Sequence, residues 1–177
     1  ELADNKINKL VCQDGSEFAC EQLILATGHS ARDIFYLLNK KEIKIEAKPF
    51  ALGVRIEHTQ ALIDSIQYRR PARGKDLPPA SYSIVSQAGG RGVFSFCMCP
   101  GGVIASASTD INETVVNGWS SSARNGTYSN SGMVVEVKPE NWTAYNQHGA
   151  LAALKFQERI ERKAFKTTGS IQAPAQR

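Results

Sequence analysis

The stretch Gly53 to His58 carries three side chains that could act on a substrate. On a strand, Arg55 and Glu57 would share one face because successive side chains alternate. Such a charged pair could line a substrate pocket, with His58 as a proton donor. The same alternation is typical of the solvated face of an ordinary sheet. The pattern therefore leaves a catalytic and a structural interpretation open.

Two cysteines lie one residue apart in the segment Phe94 to Gly102. On a strand, Cys97 and Cys99 would face the same side, as a redox-active or cofactor-facing thiol pair would require. Alternatively they are small buried side chains, since free cysteine behaves as a small hydrophobe. Gly101 and Gly102 follow in a Pro-Gly-Gly turn, where backbone N–H groups could approach a cofactor.

A third candidate site follows the apolar run Leu23 to Ala26. The run predicts a short strand buried on both faces, ending at Thr27 and Gly28. In open α/β sheets, ligands bind outside the carboxyl ends of such strands. Gly28 adds no side chain and tolerates a positive φ, so a ligand could approach the backbone closely. An ordinary strand end followed by a glycine turn is the alternative.

Several other signatures are missing from the sequence. It contains no Gly-Lys-Ser/Thr phosphate loop, no His-Glu-x-x-His and no paired Cys-x-x-Cys, so we predict no metal site. Gly90-Arg91-Gly92 begins like a dinucleotide fingerprint, but Ser95 stands where the third glycine belongs. We interpret that match as spurious.

Composition is that of an ordinary globular protein, with a formal net charge of +4. No apolar run approaches the roughly 20 residues of a membrane-spanning helix, and we expect no membrane partner. The densest basic group has helical spacing among glutamates, which favours a solvated helix face over a nucleic-acid site. We expect a reducing, cytoplasmic location, although three glycosylation triplets are present. The basic group is Lys155, Arg159, Arg162, Lys163 and Lys166, and the triplets begin at Asn112, Asn125 and Asn141.

The pattern of elements predicts an α+β fold, with a mainly antiparallel sheet flanked by helices. Residues 1–46 are predicted to form a hairpin, a buried strand, a glycine turn and a helix. Residues 47–177 are predicted to form a strand, a short helix, several further strands and a final amphipathic helix. The stretch from Asn117 to Gly132 is predicted to be a polar loop. The remaining predicted strands are 81–86, 92–99, 103–108, 114–117 and 133–137, and the final helix is 149–165.

Four segments, taken in order, resemble the uncharacterised bacterial FAD-dependent dehydrogenases, which are two-domain FAD/NAD(P)-binding flavoproteins. Of these segments, the Cys-Met-Cys-Pro-Gly-Gly block is the most specific. By this resemblance the chain is expected to be an internal piece of a longer flavoprotein. Residues 1–46 would then be a remnant of a Rossmann-type FAD domain, and residues 47–177 a substrate-side inserted domain. The segments are Ile24 to Asp33, Lys48 to His58, Phe96 to Gly102 and Ala173 to Arg177.

The resemblance implies roles for the candidate residues. Thr27, Gly28, Gly101 and Gly102 are expected near FAD, while the charged and thiol side chains named above would face the flavin or substrate. The partners would be the FAD domain of the same protein, an unknown small substrate and NAD(P) as a candidate. The isolated chain is expected to bind no FAD. Two alternatives stay open: a thiol-dependent redox protein and a non-catalytic binding module. The candidate catalytic residues are Arg55, Glu57, His58, Cys97 and Cys99.

Overall fold

The computed structural model describes residues 1–4 and 6–170. The chain divides into two compact units, Glu1–Leu37 and Leu38–Arg177. The Ala173 to Arg177 segment of the family resemblance lies outside the described residues. Within the described ranges, no helix is both long enough and apolar enough to cross a bilayer.

The first unit contains two small antiparallel hairpins and the start of a helix. The second hairpin confirms the predicted pairing across the Asp14-Gly15 turn, with Leu10 opposite Phe18. The helix predicted near the end of this stretch is present and begins at Arg32. The elements are β1 (Leu2–Ala3), β2 (Lys6–Ile7), β3 (Lys9–Val11), β4 (Glu17–Ala19) and α1 (Arg32–Lys40).

The predicted buried strand at Leu23 to Ala26 is wrong. Residues 22–28 form no strand, and the Ile24 side chain is 91% exposed. A strand buried on both faces needs neighbours in a sheet, whereas the described strands of this unit pair within their own hairpins. Gly28 does have a positive φ of 78°, as its turn position predicts. A Rossmann origin for this unit stays a prediction.

The second unit is built around an antiparallel sheet of four strands in the order β5-β10-β7-β6. A separate hairpin, β8-β9, and the helices complete the unit, and the predicted α+β class is confirmed. The elements are β5 (Phe50–Thr59), α2 (Gln60–Tyr68), β6 (Val85–Ala88), β7 (Arg91–Cys99), β8 (Gly102–Ser106), β9 (Val116–Ser120), β10 (Tyr128–Val137), a 3₁₀ segment (Pro139–Leu151) and α3 (Ala152–Thr168).

The strand β10 overturns the prediction of a polar loop from Asn117 to Gly132. It pairs with β5 along its whole length, from Tyr128 opposite Thr59 to Val137 opposite Phe50, and pairs with β7 on its other side. Its first half is polar but completely shielded: Ser129, Asn130 and Ser131 have no exposed surface. Alternating hydrophobicity predicted the second half of this strand, at 133–137, but not the first half, because polar side chains occupy buried positions there.

The apolar core of the unit lies where β5, β10, the 3₁₀ segment and α3 meet. Val137, Trp142, Ala152 and Ala153 are buried together, and the Phe50 ring stacks on Trp142 with centroids 5.9 Å apart. This core fixes the start of β5 and the end of β10. The two strands are thereby held in register where their polar residues meet.

A hairpin turn explains the spurious dinucleotide match. Gly89 and Gly90 join β6 to β7 and both have positive φ, 56° and 75°. Two-residue hairpin loops favour this conformation, which glycine adopts without steric cost. The glycines therefore serve the turn, and the interpretation of the match as spurious is confirmed.

Candidate functional site

Arg55 lies in the middle of β5 and is half-buried. Its Nε donates to Asn130 Oδ1 at 2.8 Å, and its Nη2 donates to the Cys97 carbonyl at 2.7 Å. The same Nη2 lies 3.5 Å from Cys99 Sγ. Three distant parts of the sequence therefore meet at one guanidinium. We call Arg55, Cys97, Cys99, Gly118 and Asn130 the arginine cluster.

Gly118 makes room for this guanidinium. A Cβ at Gly118 would lie 2.0 Å from Arg55 Nη2 and 2.6 Å from Asn130 Oδ1. Any side chain on this residue of β9 would displace the arginine from its acceptors. The absence of a side chain is thus part of the positioning of Arg55.

Gly118→Ala is expected to lower the free energy of unfolding by about 2 kcal/mol, because the displaced guanidinium loses charge-assisted hydrogen bonds. The loss of unfolding free energy caused by Gly118→Ala should be about 1 kcal/mol smaller in an Arg55→Ala background, where the closest clash is gone. Urea denaturation of the four proteins of this double-mutant cycle measures the coupling. Equal costs in both backgrounds would show that Gly118 does not position Arg55.

The two cysteines occupy different environments, contrary to the predicted same-face pair. A β-bulge shifts the pairing of β7 with β10 between Phe96 and Cys99, and Cys97 within it has a φ of 54°. The Cys97 residue is exposed and Cys99 is buried, and both thiols are free. The bulge turns the Cys97 carbonyl towards Arg55. The sequence spacing alone assumed a regular strand.

The left-handed backbone at Cys97 is costly for a residue with a side chain. Cys97→Gly should raise the free energy of unfolding by about 1 kcal/mol, since glycine adopts this φ freely. Cys97→Ser is the matched control, because it keeps the Cβ and should change stability little. Urea denaturation compares them; a Cys97→Gly protein less stable than Cys97→Ser would contradict the assigned strain.

His58 does not share a face of β5 with Arg55 and Glu57. Glu57 is buried on β5 opposite Asn130. His58 follows it, and because side chains alternate along the in-register strand, it belongs to the opposite face from Arg55. There its Nε2 lies 2.8 Å from the Tyr82 hydroxyl. The candidate proton donor is therefore separated from the candidate charged pair.

Sequence reasoning did not single out Tyr82, whose hydroxyl contacts His58. Burial raises the pKa of the Tyr82 hydroxyl, against the opposing effects of its hydrogen bond with Ser131 and the charge of Arg55. The hydroxyl is therefore protonated at neutral pH and can donate a proton. A tyrosine ahead of a short strand offers no sequence signal for this pairing.

The Pro-Gly-Gly turn after Cys99 is held by protein contacts. The Gly101 N–H donates to Gln60 Oε1 at 2.8 Å, and its φ is 55°. A Cβ at Gly101 would lie 1.9 Å from the Arg124 carbonyl oxygen, and one at Gly102 would lie 2.4 Å from that of Trp119. Both glycines thus permit close backbone packing. A cofactor contact by either residue stays a prediction.

A buried polar network anchors this turn to α2. Gln60 also donates to Asp64 Oδ1 at 2.8 Å, and Asp64 accepts from the Ala80 N–H at 2.8 Å and from Arg73 Nε at 2.9 Å. Burial acts to raise the pKa of the Asp64 carboxyl. Hydrogen bonds from Ala80 and Gln60 and the charge of Arg73 outweigh it, so the pKa lies below its ordinary value.

A cavity of about 230 Å³ borders the arginine cluster between the sheet, the 114–117 segment and α3. Arg55 and Gly132 line it on the sheet side, and Glu161 on α3. Most of its wall is apolar, as in many small-molecule sites. The apolar lining includes Leu52, Val54, Phe96, Val116, Val134 and Ile160.

The predicted basic group on α3 lies along a second, larger cavity of about 460 Å³. Two of its cations are paired with carboxylates: Lys155 with Glu158 at 3.0 Å and Arg162 with Glu113 at 3.5 Å. Arg159 donates to the Tyr145 hydroxyl at 3.0 Å. These contacts are those of a charged helix surface, and the expected absence of a nucleic-acid partner stays a prediction. Among residues 1–4 and 6–170, no group of metal ligands is assembled.

The fold and the arginine cluster define an α+β domain with a cationic side chain beside an apolar cavity. A model of the "FAD-dependent protein, C-terminal domain-like" family matches residues 49–177. The chain belongs to this family, and it is a flavoprotein-related domain. It is also 40% identical over 176 residues to a Clostridium beijerinckii protein described as uncharacterized. That alignment covers 98% of this chain, and the chain spans 32% of the length of that relative.

Proposed function

We propose that this chain forms the substrate side of the flavin site in a longer FAD-dependent oxidoreductase, a dehydrogenase. The observation that carries the proposal is Arg55, a half-buried cation held by three contacts beside a cavity. It lies within the part of the chain that the family model matches. The family supports a flavin, and the cluster offers a place where a substrate could meet it.

The residues of this chain fit one wall of an FAD site and not the whole of it. The sequence has no Gly-x-Gly-x-x-Gly turn at a helix N-terminus, where a pyrophosphate is usually held. The cavity beside Arg55 is also smaller than the roughly 300–1,000 Å³ of most ligand pockets. We therefore propose that the rest of the full-length protein binds the pyrophosphate. Thr27 and Gly28 are proposed to lie near the cofactor.

A bound flavin supplies the hydride chemistry, and the protein supplies orientation and electrostatics. In this proposal Arg55 orients the substrate and provides positive charge, and the apolar wall excludes water. Gly118 and Asn130 act through Arg55 and are positioning residues. NAD(P) as the electron partner and a cytoplasmic location are further parts of the proposal.

The thiol alternative has less support than the flavin proposal. Cys99 is 8% exposed and its Sγ contacts Arg55 and the Cys97 carbonyl. A disulfide-exchange pair needs both thiols accessible, whereas Cys97 is exposed but Cys99 is enclosed by the cluster. Its surroundings suit a small packing residue.

Flavin retention tests the proposed function. We expect the full-length protein to keep a yellow flavin through gel filtration and to release it on denaturation. This chain expressed alone should lose added FAD in the same column. A full-length protein that holds no flavin after incubation with FAD would overturn the proposal. A stoichiometric flavin on the isolated chain would overturn the division of the site between two parts of the protein.

A further inference from the structure

Within residues 1–4 and 6–170, Arg55 makes no ion pair with a carboxylate, unlike several other cations of its unit. Arg73 pairs with Asp64, Lys155 with Glu158 and Arg162 with Glu113. Across residues 1–4 and 6–170, the contacts of Arg55 are all with neutral groups: an amide oxygen, a backbone carbonyl and a thiol. A half-buried cation that makes no ion pair is well placed to bind an anion supplied by a ligand.

The amide of Asn130 is a second unusual feature of the arginine cluster. The residue is completely buried, and its Oδ1 accepts from Arg55. Its Nδ2 has no hydrogen-bond partner in the part of the chain that the structure describes. Buried donors are nearly always satisfied, and this amide belongs to the residue that holds Arg55 at the edge of the cavity.

The guanidinium also retains donors for such an acceptor. Its Nε and Nη2 are engaged as described, whereas Nη1 has no contact of its own within the described ranges. Arginine binds carboxylate and phosphate oxygens through its planar fork of donors. The group that this corner of the cavity can hold is therefore an anion.

The side chains that line the cavity determine which kind of anion fits. Around Arg55 they are mainly apolar, with valine, leucine, isoleucine and phenylalanine side chains. A nucleotide or a sugar phosphate would leave its polar groups unpaired there. At about 230 Å³ the cavity suits a small ligand. A carboxylate with a short apolar body suits both the charge and the walls.

Glu161 adds a carboxylate to the wall of this cavity. It lines the same cavity from α3, is 7% exposed and accepts a hydrogen bond from Gln157 at 2.8 Å. A second carboxylate on the ligand would place a like charge in this small space. We propose that the Arg55 cavity binds a small apolar monocarboxylate. The inference rests on the proposed function, in which this ligand is the substrate or resembles it.

Calorimetric titration of the full-length protein tests the inference with three probes: phenylacetate, its neutral amide phenylacetamide, and the dicarboxylate phenylsuccinate. We expect phenylacetate to bind at least tenfold more tightly than either of the others, because charge-assisted hydrogen bonds are stronger than neutral ones and a second carboxylate would face Glu161. Arg55→Met should remove the preference for phenylacetate over phenylacetamide. Arg55→Lys should keep part of it, since the charge remains and the fork is lost.

Two further variants keep the result interpretable. Ala164→Phe fills the cavity from α3 and should weaken phenylacetate at least tenfold with Arg55 intact; it serves if Arg55→Met does not fold. Arg70→Met removes an exposed arginine and should change nothing. Equal binding of phenylacetate and phenylacetamide to the wild-type protein, or unchanged phenylacetate binding by Ala164→Phe, would overturn the inference. Flavin absorbance of the same samples reports separately on the proposed function.

Discussion

Gly101→Ala is expected to lower the free energy of unfolding by about 3–4 kcal/mol. The new Cβ would lie 1.9 Å from the Arg124 carbonyl oxygen, which is backbone and cannot rotate away. The φ of 55° adds a further cost of about 1–2 kcal/mol for any residue with a side chain. Overpacking alone contributes about 1–3 kcal/mol. Urea denaturation measures the loss.

Gly92→Ala is the matched control for this substitution. Gly92 lies at the start of β7, and the nearest atom to its added Cβ is in the Gln87 side chain at 3.8 Å. Alanine there should be neutral or stabilise the strand by up to about 1 kcal/mol. If Gly101→Ala were as stable as Gly92→Ala, the Pro-Gly-Gly turn would not be held by backbone packing. Its glycines would then need the cofactor-contact explanation that the sequence favoured.

Asp64→Ala is expected to cost about 3 kcal/mol. Its carboxylate accepts from the Ala80 N–H, the Gln60 amide and Arg73, so its removal leaves buried donors and a cation unpaired. This cost lies at the lower end of the range for removing one partner of a buried ion pair, because the Arg73 side chain is 28% exposed. Asp64→Asn keeps one oxygen acceptor at this position and should cost clearly less. A change below about 1 kcal/mol in Asp64→Ala would contradict this role.

The same carboxyl gives the stability a pH dependence of known sign. Its pKa is lower in the folded protein than the roughly 3.9 of an unfolded aspartate. The contribution is therefore complete above that value and is lost as the pH falls through the folded pKa. Unfolding free energies measured from about pH 2 to about pH 7 should drop at acid pH in the wild-type protein. The drop should be smaller in Asp64→Asn.

Most elements could be predicted because local patterns determine them. The Asp14-Gly15 turn between short apolar runs specifies the first-unit hairpin, alternation specifies β5, and amphipathic spacing specifies α3. The two wrong predictions share a cause, because contacts between residues distant in sequence determine the structure in both places. The apolar run at Leu23 lacks a pairing partner within its unit, and the polar start of β10 is buried between two strands.

The site was predictable only as a set of candidate residues. Arg55, Cys97 and Cys99 were named from their types, and the structure brings them together. Asn130, which holds the arginine, lies 75 residues away in sequence within a predicted loop. The β-bulge that separates the two thiols depends on the pairing of β7 with β10. Spacing along one strand contains no information about either feature.

The midpoint potential of the bound flavin tests most directly whether Arg55 faces the cofactor site, and it needs no substrate. A unit charge about 8 Å away, at an effective dielectric constant of about 20, contributes roughly 2 kcal/mol, on the order of 40 mV for two electrons. In the full-length protein, Arg55→Met should lower the potential by about this amount, because a cation that favours the reduced flavin is lost. Arg55→Lys should retain most of the wild-type potential, and Arg70→Met all of it. A potential in Arg55→Met equal to that of the wild-type protein would contradict the account.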